Sequence, residues 1–183
     1  MAAIIGGEPP GADSPVREII DFYGDNKGSI QVGSYLGVAA AVLLVCFGAY
    51  LRSVLSAAEG AGGVLAPLVL VGTAIAAVGV AIDLTISIAL AEAVDDIEPA
   101  AVQALQALWD NDFIPFALGT LVFLISAGLS IVRYGALPKW LGWVALALAV
   151  VGFTPLGFIT FIGAGLWILI VSVMLTLRSR RRV

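Results

Sequence analysis

The chain has 183 residues, 61% hydrophobic and 12% charged, where soluble domains run near roughly 45–50% and 25%. Its net charge is −4, its mean hydropathy is +1.07, and it holds one Cys and no His. A soluble fold is excluded, an intrachain disulfide is impossible, and the usual imidazole ligand of haem, zinc and copper is missing. In lipid, open strands cannot satisfy their backbone polar groups. The expected fold class is therefore all-α: an integral membrane helical bundle forming a single transmembrane domain over residues 1–183.

Residues 1–13 lack a basic segment and a sustained apolar core, so they read as a flexible tail. Ser14-Pro15 then supplies a capping hydroxyl and a proline suited to the first turn. Val16, Ile19, Ile20 and Tyr23 share one helical face, and Gly24 offers a stop. The spacing predicts a short helix over 14–24 that lies on the membrane surface. The first crossing covers 32–51, between Gln31 and Arg52. Its Gly33, Gly37 and Ala41 form a small-residue strip open to close approach, either by another helix of this chain or by a second copy. Cys46, midway along this stretch, reads as a small buried hydrophobe.

The second crossing covers 64–91, with Pro67 in its first turn and Asp83 its one charge before the acidic loop. Glu98-Pro99 opens a second surface helix, 98–110, on an apolar stripe of Val102, Leu105, Leu108 and Trp109, with Trp109 expected at headgroup level. The third crossing covers 113–132. Its Ser126 and Ser130, spaced i, i+4, read as interhelical glue. "RYGALPKW" forms a basic turn into Trp140–Leu177, 38 residues without a charge. As one helix this stretch would reach about 57 Å, nearly twice the roughly 30 Å of a hydrocarbon layer. Pro155 disfavours helix at Thr154, and Gly152 and Gly157 bracket the break. The stretch therefore divides into crossings at 137–153 and 158–177, followed by a basic tail, 178–183.

Charge orients these elements. With the amino terminus outside and five crossings, Arg52, Arg133, Lys139, Arg178, Arg180, Arg181 and Arg182 fall in the cytoplasm, leaving only Arg17 and Lys27 outside. Glu92, Asp95, Asp96, Glu98, Asp110 and Asp112 fill an outer loop that carries no Lys or Arg. Four crossings would place the Arg-rich tail outside, against the positive-inside bias.

"DFYGDN" ahead of the first crossing, Leu51-Arg52 at its end and "LPKWLGW" opening the fourth resemble small uncharacterised bacterial multi-span membrane proteins of the domain-of-unknown-function kind, over nearly the whole chain. The resemblance implies the bacterial inner membrane. It implies no activity, and it carries no functional residue over.

Asp83 is the sharpest candidate for chemistry, because a carboxylate within hydrocarbon is costly and usually turns to the bundle interior. On the five-crossing threading, Thr120 and Trp167 lie at similar depth, and Tyr35 lies nearer the outer surface. The Trp167 indole N–H could satisfy the carboxylate. The acid clusters Asp95-Asp96-Glu98 and Asp110-Asn111-Asp112, with Asp21 and Asp25 as neighbours, lack EF-hand spacing and read as solvated charge rather than a metal site. The tail "RSRRRV" suits anionic headgroups rather than nucleic acid. No Ser/His or Cys/His pairing and no phosphate-binding loop is present, so no enzyme and no cofactor is expected. The expected role is that of a non-catalytic accessory, scaffold or sensor subunit working in the lipid bilayer, alone, as a homo-oligomer or with a membrane-protein partner. The alternative is a small permease or proton/cation-coupled carrier using Asp83.

Overall fold

The computed structural model describes residues 9–94 and 96–180, with side chains as far as Arg178. Asp95, residues 1–8 and residues 181–183, which include parts of both expected tails, lie outside the described residues. Those described form six helices and no strand: α1 Val16–Glu59, α2 Leu65–Ala93, α3 Pro99–Trp109, α4 Phe113–Tyr134, α5 Lys139–Gly152 and α6 Gly157–Arg180. Four stretches are long and apolar enough to cross a membrane: Val16–Glu59, Leu65–Ala93, Pro99–Tyr134 and Gly157–Arg178. The protein is thus all-α, with the helix lengths and composition of a multi-pass membrane protein.

The separate helix over 14–24 does not exist, because α1 runs unbroken for 44 residues, about 66 Å. Gly24 and Gly28 keep helical backbone and have nothing within 4 Å of where a Cβ would stand. A helical Gly costs about 1 kcal/mol relative to Ala, which weakens a helix but does not end it. The helix stops instead at Gly60, whose φ of 79° no side-chain-bearing residue adopts easily. Gly62 follows at 87°, and the turn closes when Glu59 Oε2 accepts the Ala66 N–H at 2.9 Å, capping the start of α2.

The other decisive break separates α5 from α6. Thr154 Oγ1 donates back to Val151 O at 2.7 Å and accepts the Leu156 N–H at 3.2 Å, while Gly157 N–H reaches Thr154 O at 3.0 Å. A hydroxyl turn replaces the helical ladder where Pro155 has no N–H to offer. At 14 residues, α5 covers only about 21 Å.

The single domain expected from chain length resolves into two compact units, because long helices supply residues to both. The first is Met1–Leu43 with Ala77–Phe116. Its core holds Ile19, Tyr23, Ile30, Leu90, Val94 and Val102. The stripe of α1 read as lying on the membrane is therefore packed on protein, against α2 and α3. The expected tail is also held at one point: Ala12 N–H donates to Asp110 Oδ2 at 2.8 Å and Gln103 Nε2 donates to Ala12 O at 3.2 Å.

The second unit is Leu44–Ala76 with Ala117–Val183. Trp167, Phe123, Leu51, Leu124, Ile131 and Leu141 lie in its core. Helices meet there through glycines. A Cβ on Gly119 would stand 2.7 Å from both Gly72 O and Ala76 Cα, and one on Gly142 would stand 2.9 Å from Gly128 O. Without a hydrophobic force between helices in lipid, close backbone approach of this kind supplies the contact area for packing. The outward surfaces stay apolar. Ile162, Leu166, Leu169, Val173 and Leu177 form one exposed stripe along α6. Cys46, expected in the core, is exposed among the outward residues of α1.

Candidate functional site

Asp83 sits on α2, half-buried, in the first unit. One turn on, Ser87 shares its face, since residues four apart are helix neighbours. Helix α3 brings Trp109 to this face. Its indole Nε1 donates to Ser87 Oγ at 3.0 Å, one helical turn from Asp83. The indole that reaches this face of α2 is that of Trp109, bonded to Ser87, while the Trp167 indole is engaged elsewhere. The Trp109 indole, expected at headgroup level, is turned onto α2 through its bond to Ser87.

A second chain of hydrogen bonds runs beside the first. Tyr23 Oη, 2% exposed, donates to Gln106 Oε1 at 3.0 Å, and Gln106 Nε2 donates to Asp110 Oδ1 at 3.0 Å. Gln106 is wholly buried on the face of α3 that carries Val102. A buried amide is tolerated when its donors and acceptor are engaged, and here both ends are. Asp112, in the turn between α3 and α4, has Oδ2 enclosed without a hydrogen-bond partner. That burial, aided by the nearby Asp83 charge, pushes its carboxyl up to about 6. The arrangement is a clasp: two hydrogen-bonded threads fasten the amphipathic α3 to α1 and α2.

The four residues singled out from the sequence do not form one site. Trp167 is 1% exposed, and its Nε1 donates to Leu141 O on α5 at 2.9 Å, with Phe123 edge-on at 5.5 Å. A backbone carbonyl has satisfied the indole that was expected to serve the carboxylate. Tyr35 is 77% exposed, so its hydroxyl does not serve the site. Thr120 is buried in the second unit, beside Gly119. On the packing strip, Gly33 and Gly37 are buried, Ala41 is half-buried, and Leu84 Cδ1 stands 2.8 Å from where a Gly37 Cβ would lie. Helix α2 of the same chain therefore fills the notch at Gly37. Ser126 does not bridge helices, since it bonds back to Val122 O and Phe123 O of its own helix. In the second unit the Thr160 hydroxyl does bridge, donating from α6 to Leu148 O on α5 at 2.8 Å.

No family model, no curated protein and no solved structure matches the chain. Among the described residues, no three of His, Cys, Asp and Glu converge as a metal site would require. Gln106, Ser87 and Tyr23 are the site residues that sequence reasoning missed. Gln106 had a usable signal: it lies four residues from Val102, on the apolar stripe, where a lone amide implies a buried polar partner.

Proposed function

We propose that this chain is a multi-pass protein of the bacterial inner membrane that crosses five times, amino terminus outside and carboxyl terminus in the cytoplasm. Its role is non-catalytic, that of an accessory, scaffold or sensor subunit acting through helix packing. The reading that counts α5 as a crossing rests on its apolar length with the flanking Leu137 and Phe153, and on local bilayer thinning of the kind short spans impose. Seven of the nine basic residues then fall on the cytoplasmic side, which supports the orientation.

The observation that carries the functional reading is the clasp. The polar side chains around Asp83 bond one another across α1, α2 and α3, so they hold helices together as the glycine notches do. The carrier reading is favoured by one specific feature, a carboxylate within an apolar helix whose charge is felt at the enclosed Asp112. Proteoliposomes separate the two. Proton flux under a potassium-valinomycin potential, and sodium uptake, are measured for the wild type and Asp83→Asn. The accessory reading expects both proteins to match protein-free vesicles. A flux that Asp83→Asn abolishes establishes the carrier instead.

A further inference from the structure

The second unit carries a cleft of about 480 Å³ lined by Tyr50, Ser53, Ala57, Ala136, Leu175 and Arg178. A second cleft of about 350 Å³ shares Tyr50 and Leu175 and adds Phe47, Ser172 and Thr176. The two differ in chemistry. The mouth has the Arg178 guanidinium, whereas the adjoining trough has no charged residue in its lining and is walled by Phe47, Tyr50 and Leu175, with Ser172 and Thr176 beside them. Arg178 is positioned by donating Nη1 to Ala136 O at 3.0 Å, which leaves most of its five donors for a ligand. Ser53 Oγ donates to Tyr50 O at 2.6 Å, so its own lone pairs remain open to a donor.

A cationic fork beside an uncharged trough walled by Phe47 and Leu175, where the Thr176 hydroxyl is turned back to Ser172 O, matches an amphiphile with an anionic phosphate and acyl chains. We propose that this double cleft binds one anionic phospholipid, its phosphate on Arg178 and Tyr50 and one acyl chain along Phe47 and Leu175. Charge complementarity selects a headgroup of net negative charge, because the guanidinium holds the phosphate through parallel N–H bonds while the lining offers no carboxylate to receive a choline cation. The trough selects a lipid over free phosphate. A site of this kind would make the stability of the helix ends around it depend on the composition of the surrounding bilayer.

The test uses the full chain purified in mild detergent. Native mass spectrometry and the thermal midpoint are recorded with added phosphatidylglycerol, with phosphatidylcholine of the same chains, and with inorganic phosphate. One retained phosphatidylglycerol and a raised midpoint are expected, with neither effect from phosphatidylcholine or phosphate. Arg178→Gln should weaken retention about tenfold, the loss expected for a charge-assisted pair. Ala57→Leu, which narrows the cleft without changing charge, should weaken it as well and keeps the test alive if Arg178→Gln does not fold. Equal retention of the two lipids, an equal effect of phosphate alone, or undiminished retention in a folded variant overturns the proposal.

Discussion

Replacing Gln106 with Leu tests the clasp at its centre. The change keeps helix propensity and volume but leaves the Tyr23 hydroxyl, 2% exposed, without its acceptor. Stranding a buried donor costs about 1–3 kcal/mol. The lost donation to Asp110 adds less, because that carboxylate is exposed and keeps the Ala12 N–H. Tyr23→Phe strands the Gln106 carbonyl from the other side at a similar cost. The double variant removes both partners together and leaves no orphan in this pair. It should therefore be more stable than the sum of the singles implies, with a coupling of about 1–2 kcal/mol. The four proteins are unfolded by sodium dodecyl sulfate titration in mixed micelles and followed by circular dichroism. Additive losses, with coupling within about 0.3 kcal/mol of zero, refute the clasp as a hydrogen-bonded unit.

Two further outcomes follow from the same geometry. Gly119→Ala places its Cβ against backbone atoms of Gly72 and Ala76 that cannot rotate away, and should destabilise by about 1–3 kcal/mol in the same titration. Gly24→Ala, with open space around it in mid-helix, should instead stabilise by about 0.5–1 kcal/mol; a loss there would show that α1 is not continuous. Asp112 predicts a pH dependence. Its folded pKa of about 6 lies above the ordinary 3.8, so the folded state holds the proton more tightly than the unfolded chain. Stability from this group is present at low pH and declines as pH rises between these two values. Asp112→Asn should flatten the thermal midpoint across that window, and an unchanged slope would contradict the enclosure of the carboxyl.

The helical class was legible from hydropathy alone, and proline marked the local boundaries. Pro99 stands at the start of α3, and Thr154-Pro155 removes a donor at the α5–α6 break. Gly24 misled because a glycine permits a stop without requiring one, and nothing in "GDNKGSIQ" forces the chain out of its ladder. Around Asp83 the sequence could supply the residue but not its neighbours. Trp109 and Trp167 are equally able donors, and which one approaches depends on how α3 docks on α2 and how α5 pairs with α6. A backbone carbonyl such as Leu141 O has no signature in sequence, so the competitor for the Trp167 indole was invisible. The Gly72–Gly119 contact was hidden for a related reason, since the two halves of a notch lie on different helices and only register brings them together.

The threading on which the account depends can be measured with two single-cysteine variants in a Cys46→Ser background, Ser14→Cys and Ser179→Cys. Intact cells expressing each are treated with a membrane-impermeant maleimide before and after lysis. An odd number of crossings predicts that position 14 reacts in intact cells while position 179 reacts only once the membrane is opened. If both positions behave alike, the ends share one side and five crossings cannot stand.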